Sequence, residues 1–306
     1  MLLSHLLARL TLLTMLAALG FATPALAAAP CDLGIPGTTQ RIAVGDTGRS
    51  MLIHIPAGIE TIRDLPLVFL LHGSTSNGQA MLDHSGLAAT SDHHGFLLAA
   101  PDAGIPAGKG FVWNIPGVPT VTGAVPTAAD PDDVAYLTAA IDWLAAQRCI
   151  DAKRVYATGL SGGGRMTSWL GCVASDRFAA IAPVVGLRAG NPSAGDPQRP
   201  DPATCRPAKS MPVYAFAGSA DTTNPVAGGG AGYWQYSMAA ALARWAELDD
   251  CRAGPQTFTA SDVAREQIYS GCRGDARVAG RIVAGRGHEW VADNDAMWNF
   301  FARYRR

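Results

Sequence analysis

Short apolar runs that alternate with helical segments are the feature that most constrains the fold of this chain. Most of them have the length and the continuous hydrophobicity of a strand covered on both faces. The runs lie at residues 67–71, 96–100, 154–158, 179–185, 212–216 and 281–284. Helical spacing of apolar side chains marks residues 132–147, 236–248 and 295–304. The alternation predicts a mostly parallel sheet with right-handed crossovers and helices on both faces, as one α/β domain.

Other segments complete this arrangement. Residues 41–44 and 51–55, joined by a Gly-rich turn, predict an antiparallel pair of strands near the N-terminus. Two Pro- and Gly-rich stretches, at 103–126 and 187–209, are too long to be simple connections. We expect both to form loops over the carboxyl ends of the strands, where sheets of this type bind ligands.

Composition excludes several classes of function. The chain has 306 residues, of which 48% are hydrophobic, so it is long and apolar enough for a packed domain. Its 24 Lys and Arg residues nearly balance 25 Asp and Glu residues, giving a net charge of −1. Such a balance gives no electrostatic reason to expect nucleic acid or an anionic membrane surface as a partner.

The first 29 residues have the pattern of a secretory signal peptide. A short segment with one Arg precedes an apolar stretch at 10–22, and an Ala-Leu-Ala site follows at 25–27. A membrane anchor would need a longer apolar run than this one, which Pro24 interrupts. We expect cleavage near Ala27, a mature domain at 30–306 and an extracellular or periplasmic location, without membrane attachment.

All the cysteines lie in the exported part, and their even number favours disulfides. Six cysteines allow many pairings. Closeness in sequence favours Cys251 with Cys272. Order along the chain suggests the other two pairs, which are Cys172 with Cys205 and Cys31 with Cys149.

The sequence Gly-Leu-Ser-Gly-Gly at 159–163 is the strongest chemical signal. It follows a predicted strand and precedes a predicted helix, which is the context of a nucleophile elbow. Small residues on both sides of Ser161 let the chain turn sharply and expose the hydroxyl at a helix N-terminus. The alternative is a Gly-rich turn that only caps a helix. The flanking strand and helix favour Ser161 as a catalytic nucleophile.

A serine nucleophile needs a base and an acid that orients the base. The order along the chain in such folds is Ser, then Asp or Glu, then His. His288 alone among the histidines follows Ser161, so it is the predicted base. Asp221, in the segment that follows the predicted strand at 212–216, is the predicted acid. Four other aspartates are rivals that we expect to be solvated, namely Asp196, Asp201, Asp249 and Asp250, and the side chain of Glu289 should point away.

Acyl transfer also needs donors for an oxyanion. The backbone N–H of Gly162 is one predicted donor, and that of Ser74, in the loop after the strand at 67–71, is the other. His72 is expected to support this loop rather than act as a base.

A second group, consisting of His84, Asp92, His93 and His94, has the residue types of a metal site. The adjacent histidines cannot share one helix face, and no His-Glu-x-x-His spacing occurs. We predict no metal and no cofactor.

With these residues assembled, the chain from about residue 52 onward resembles the secreted esterases of the polyhydroxybutyrate depolymerase family, which are related to feruloyl esterases. The motifs that carry the resemblance are Leu-His-Gly at 71–73, Asp-Asp-Val at 132–134, the elbow at 159–163, Gly-Ser-Ala-Asp-Thr-Thr at 218–223, Tyr-Trp-Gln-Tyr-Ser at 233–237 and Gly-His-Glu-Trp at 287–290. The resemblance implies a single α/β-hydrolase domain that cleaves esters outside the cell without a cofactor.

The predicted activity is therefore that of a secreted serine carboxylic-ester hydrolase. Feruloyl, acetyl or hydroxyalkanoate esters, as small molecules or oligomers, are the expected substrates, and Trp113 and Tyr233 are candidate substrate-binding residues because their rings could cover an acyl group. We expect a monomer. A serine peptidase of the same fold and a non-catalytic cell-surface binding protein remain alternatives.

Overall fold

The predicted parallel strands form the centre of a ten-stranded sheet in the computed structural model, which describes residues 31–306. The signal peptide predicted at 1–29 lies outside the described residues. In chain order the strands are β1 (Thr39–Ala43), β2 (Ser50–His54), β3 (Leu65–Leu71), β4 (Leu97–Pro101), β5 (Ile105–Ala107), β6 (Gly110–Val112), β7 (Ile150–Leu160), β8 (Ala180–Val184), β9 (Val213–Gly218), β10 (Ala253–Ser261), β11 (Ala264–Ser270) and β12 (Val278–Val283). The helices are α1 (Gly78–Ser85), α2 (Leu87–His94), α3 (Asp133–Ala146), α4 (Gly162–Val173), α5 (Met238–Leu248) and α6 (Asn294–Phe301).

The strand order in the large sheet is β1-β2-β4-β3-β7-β8-β9-β12-β11-β10. All pairs from β4 to β12 in this order are parallel, and the strands at both margins pair antiparallel. The prediction of a mostly parallel sheet with an antiparallel N-terminal pair is confirmed. Because these central strands are parallel, their carboxyl ends lie at the same edge of the sheet, which holds for β3, β7, β9 and β12.

Helices cover both faces of the sheet, as predicted. Side chains of α3, α4 and α5 pack with Phe69 and Leu71 of β3 on one face. Side chains of α1, α2 and α6 pack with Val68 and Leu70 on the other. Because neighbouring strand residues point to opposite faces, β3 is apolar throughout, and the continuous run that marks it in the sequence follows from burial on both sides.

The sequence did not predict the hairpin of β10 and β11. Every residue of β10 is exposed, so it has no buried face and no alternating pattern to mark it as a strand. Backbone pairing with β11, which pairs in turn with β12, holds it at the sheet margin. Helices α1 and α2 were also not predicted. The loop at 103–126 contains the small β5–β6 hairpin.

Three disulfides cross-link the domain, and the predicted pairing is confirmed. Cys31 is joined to Cys149 before β7, and Cys172 in α4 to Cys205 in the long loop at 187–209. Cys251 is joined to Cys272, which closes the segment that contains the β10–β11 hairpin. Disulfides persist in oxidising compartments, which is where an exported protein folds.

No helix within residues 31–306 has the length and apolar character needed to cross a membrane.

Asp249, which follows α5, carries a titratable group inside the fold. Its side chain is buried and accepts a hydrogen bond from the Met211 N–H at 2.8 Å. Burial raises the pKa of Asp249 to about 7. The expectation that this aspartate is solvated is therefore wrong. Its position after the helix suggested exposure, but the segment around Met211, just before β9, lies against it and leaves it buried.

This burial predicts a pH dependence of stability. Because the native carboxyl keeps its proton up to about pH 7 while the unfolded one loses it near pH 4, the free energy of unfolding should fall as pH rises between these values. Asp249→Asn keeps an acceptor for Met211 but cannot ionise, so its stability should fall less. Urea denaturation of both proteins at pH 5 and pH 8 measures the difference. Parallel pH profiles would contradict the assignment.

Candidate active site

Ser161 lies at the turn between β7 and α4. Its backbone has φ 56° and ψ −110°, a region that residues other than glycine rarely occupy, and the surrounding packing must hold this strain. Its N–H donates to the Val184 carbonyl at 2.9 Å, and its own carbonyl accepts from the Arg165 N–H at 2.9 Å. These bonds fix the turn and place the hydroxyl above the edge where β7 ends.

Gly163 makes this turn possible. A Cβ atom at this position would lie 2.5 Å from the carbonyl carbon of Leu71 and 2.6 Å from the carbonyl oxygen of His72. Only a residue without a side chain lets the start of α4 approach the end of β3 so closely. The elbow is thus held by backbone packing between two elements that are distant in sequence.

The structure brings the predicted nucleophile, base and acid together. His288 Nε2 lies 2.8 Å from Ser161 Oγ, and His288 Nδ1 lies 2.8 Å from Asp221 Oδ2. A carboxylate can only accept, so Nδ1 carries the proton and Nε2 is free to accept from the serine hydroxyl. The three residues follow β7, β9 and β12, whose carboxyl ends share one edge of the sheet. This geometry is that of a base poised to deprotonate a serine.

The carboxylate of Asp221 is buried and held on both oxygens. Oδ1 accepts the backbone N–H groups of Thr223 and Asn224, both at 2.8 Å, while Oδ2 faces His288. The Asn224 side chain donates to the carbonyl of Val185 at 2.6 Å and anchors this loop to the end of β8. The sequence analysis did not identify Asn224. Its position three residues after Asp221, in the same loop, is the signal that could have found it.

The rival acids lie elsewhere. Asp196 and Asp201 bond to backbone within the loop at 187–209, and Asp249 is buried at the C-terminal end of α5. Glu289, next to the histidine in sequence, is exposed and pairs with Arg286 at 2.7 Å, which lowers the pKa of Glu289. None of these contacts involves His288.

Two backbone N–H groups lie beside Ser161. A Cβ atom placed on Gly162 would lie 2.9 Å from the Ser74 nitrogen, so the two residues are in direct contact. Neither N–H donates to another group within residues 31–306. Gly162 is the first residue of the 12-residue helix α4, and its free N–H together with that of Ser74 forms a site that favours negative charge.

His72 supports the loop that carries Ser74. Its Nδ1 donates to the Gly73 carbonyl at 2.8 Å, and its Nε2 accepts from the Ala103 N–H at 3.0 Å. Burial lowers the pKa of His72, so the ring stays neutral. The prediction that His72 is structural is confirmed. Trp113 packs on the same ring, with centroids 4.9 Å apart, and donates to the His72 carbonyl.

The predicted substrate-binding rings are largely occupied by protein groups. Trp113 is only 3% exposed, although it lines a cavity of about 10 Å³ together with Ser74 and Gly162. Tyr233 is half-buried, and the guanidinium of Arg165 lies 4.2 Å from the centre of its ring. Little of either ring is free to stack on a ligand.

Arg165 and Arg188 are the residues of this region that sequence reasoning missed. Arg165, one turn into α4, is 6% exposed, and its Nη2 donates to Ser74 Oγ at 3.1 Å. Arg188 is also buried and donates to the backbone carbonyls of Tyr233 and Tyr236. Arginines are usually exposed, so the sequence alone gives no signal that these two lie beside the site.

The histidines with metal-binding chemistry do not converge. His94 pairs with Asp295 at 2.9 Å, Asp92 pairs with His54 at 2.9 Å, and His84 bonds within α1. Among residues 31–306 no three potential metal ligands cluster.

Comparisons with known proteins show what this chain is similar to. Residues 125–189 match the model of the prolyl oligopeptidase family. Feruloyl esterase B of Piromyces equi is 26% identical over 84% of this chain and 45% of its own length. Poly(3-hydroxyalkanoate) depolymerase C of Paucimonas lemoignei is 33% identical over 44% of this chain and 31% of its own length. The chain thus spans less than half the length of these two relatives.

A solved structure shows the same fold. The acetyl xylan esterase from Aspergillus awamori superposes with a TM-score of 0.59 at 16% identity, covering 87% of this chain and 99% of that one. The chain therefore has the α/β-hydrolase fold, as predicted. The resemblance to feruloyl esterases and polyhydroxyalkanoate depolymerases, inferred from the motifs, is confirmed by the matches in sequence.

The close packing at Gly163 generates a prediction. Gly163→Ala should force α4 away from β3 and shift Ser161 from Ser74, so labelling of Ser161 by a fluorophosphonate should slow at least about tenfold. The rate of labelling, followed by mass spectrometry, tests this. Gly195→Ala is the matched control, because a Cβ there meets no atom within 4 Å. Equal labelling rates in the two variants would contradict the proposed role of the packing.

Proposed function

We propose that this chain is a secreted serine hydrolase of carboxylic esters. The observation that carries the proposal is the continuous hydrogen-bonded chain from Ser161 through His288 to the buried Asp221. Two free backbone donors beside the serine complete the set of groups that acyl transfer requires. Relatives named as a feruloyl esterase and a poly(3-hydroxyalkanoate) depolymerase support the choice of ester as the bond that is cleaved.

In the proposed mechanism, Ser161 Oγ attacks the ester carbonyl while His288 Nε2 takes its proton. The imidazolium that forms is stabilised by the Asp221 carboxylate, which two backbone N–H groups keep oriented. The negative charge that develops on the carbonyl oxygen is bound by the N–H groups of Gly162 and Ser74. Because these donors are already in place, the stabilisation requires no reorganisation at the moment of reaction.

The intermediate collapses when His288 returns its proton to the leaving alcohol. An acyl group then remains on Ser161, and His288 is neutral again. It activates a water molecule for attack on the acyl-enzyme, and the second tetrahedral intermediate uses the same two donors. Release of the acid restores the serine hydroxyl, so the cycle needs no cofactor.

The proposed substrates are feruloyl, acetyl or hydroxyalkanoate esters, in small or oligomeric form. Support comes from the names of the relatives, which include a feruloyl esterase and a poly(3-hydroxyalkanoate) depolymerase, and from the fold shared with an acetyl xylan esterase. The proposed location is extracellular or periplasmic, after removal of the signal peptide near Ala27. Three disulfides in the described part support export.

A serine peptidase of the same fold is the second candidate. The match of residues 125–189 to the prolyl oligopeptidase family favours it, since this segment includes Ser161. A non-catalytic binding protein is less well supported, because it would have no need for the aligned Ser161, His288 and Asp221.

Removal of the nucleophile tests the mechanism. Ser161→Ala should lower kcat for p-nitrophenyl acetate by about four orders of magnitude or more, since the acyl-enzyme can no longer form. Ser193→Ala, a serine of the long loop at 187–209, is the matched control and should keep full activity. Steady-state assays measure kcat for the two variants. Residual activity near that of the unmodified protein in Ser161→Ala would overturn the assignment.

A substrate panel separates the two candidate functions. Methyl ferulate, acetylated xylan and 3-hydroxybutyrate oligomers are compared with peptide p-nitroanilides at equal enzyme concentration. We expect kcat/KM for at least one ester to exceed that for every peptide. Faster turnover of a peptide would favour the peptidase instead.

A further inference from the structure

Two buried arginines beside the candidate oxyanion donors lack a counter-charge. Arg165 and Arg188 are 6% and 7% exposed. Neither forms an ion pair with a carboxylate of the residues that the structure describes, and no carboxylate contributes to the pKa shift of either one. Buried charges are normally paired, because removing them from water is unfavourable unless an opposite charge is near. The two guanidinium charges therefore have no negative partner among the described residues.

The two guanidinium groups differ in how well their N–H donors are satisfied. Arg188 donates to the carbonyls of Tyr233 and Tyr236 and lies over the rings of Trp234 and Tyr236. These contacts explain its position within the fold. They supply dipoles and aromatic faces, but they leave its net charge uncompensated.

Arg165 is less satisfied. It makes one side-chain hydrogen bond, from Nη2 to Ser74 Oγ at 3.1 Å, and stacks on Tyr233. Its Nε is buried and has no partner. Burial, followed by repulsion from Arg188, lowers the pKa of Arg165 to about 10, so the group is still a cation at neutral pH. An unsatisfied donor on a buried cation favours an anionic acceptor.

Space for such an acceptor adjoins Arg165. It lines the cavity of about 10 Å³ next to Ser74 and Gly162, and also a second cavity of about 20 Å³ that Arg188 lines as well. Each has room for about one water molecule, and a carboxylate oxygen is of similar size. The first cavity is bounded by both residues proposed to bind the oxyanion, so an anion there would lie a few bonds from the reacting carbonyl.

We propose that Arg165, in the field of Arg188, binds a carboxylate carried by the substrate. This inference rests on the proposed ester hydrolase function and narrows its substrate class to esters with a free carboxylate near the scissile bond. A hydroxyalkanoate oligomer with a free carboxyl end has this chemistry, whereas simple acetyl and feruloyl esters are neutral. The carboxylate lies in the acyl part or in the alcohol part of the ester, and the two positions are tested separately.

Pairs of substrates with the same shape and different charge test the proposal. For the acyl part, monomethyl succinate is compared with methyl succinamate, in which a neutral amide replaces the carboxylate. For the alcohol part, 3-acetoxypropionate is compared with 3-acetoxypropionamide. We expect the unmodified protein to prefer the charged member of at least one pair about tenfold or more in kcat/KM, as is typical of hydrogen bonds to charged groups. Equal rates within both pairs would overturn the proposal.

Variants then identify the residue responsible. Arg165→Met should abolish most of the preference, measured as the ratio within the pair, and Arg165→Lys should restore part of it by returning the charge. Arg177→Met removes an arginine that pairs with Asp142 at the surface, so it should leave the ratio unchanged. A preference that persists in Arg165→Met would exclude Arg165 as its source.

A binding measurement separates this inference from the proposed function. Titration of Ser161→Ala with monomethyl succinate and 3-acetoxypropionate reports binding without turnover, and Arg165→Met in that background should abolish it. Ser161-dependent hydrolysis of neutral esters without any preference for charge would leave the function standing and overturn the carboxylate site. Binding that depends on Arg165 without hydrolysis of any ester would support the carboxylate site and overturn the proposed function.

Discussion

The close approach of β3 and α4 is the constraint on which the rest of the site depends. Gly163 lets the first turn of α4 lie against the carbonyls of Leu71 and His72, and the chain between β7 and α4 must then turn within one residue. That residue, Ser161, is held at positive φ by packing on both sides. The same contact brings Ser74 against Gly162. One backbone contact thus positions both the candidate nucleophile and the two free donors beside it.

Burial of Asp221 has a comparable influence on the histidine. Its two oxygens are divided between two backbone N–H groups and His288, so the carboxylate has one orientation. The histidine side chain stays partly exposed, and its second nitrogen faces the serine. Because the base is partly exposed, it can contact substrate. The buried acid fixes its tautomer by accepting the Nδ1 proton.

Beside the oxyanion donors, two buried guanidinium groups have no carboxylate partner among the residues that the structure describes. The N-terminus of α4 and the two buried guanidinium groups all favour an anion near Ser74 and Gly162. An oxyanion that forms there during reaction would gain from this field. A substrate carboxylate bound there before reaction would be stabilised as well. Stabilisation of the oxyanion affects the rate of the chemical step, whereas stabilisation of a bound carboxylate affects which substrate is preferred.

The sequence by itself determined the alternation of the central strands and helices and the elbow at Ser161, and it predicted the base, the acid and the disulfide pairing. These follow from local signals: continuous apolar runs mark strands buried on both faces, small residues mark a sharp turn, and chain order leaves His288 as the base that follows Ser161. The prediction failed where an element has no buried face, as in β10, whose place depends on pairing with β11.

Only the tertiary structure decided the surroundings of the site. Arg165, Arg188 and Asp249 are of residue types that are normally exposed, and burial by distant segments gives them their unusual environments. Trp113 is aromatic and lies in a loop near the catalytic edge, yet packing on His72 leaves little of it free. Whether a side chain is buried depends on contacts between segments that are far apart in sequence. The local sequence pattern does not reveal these contacts.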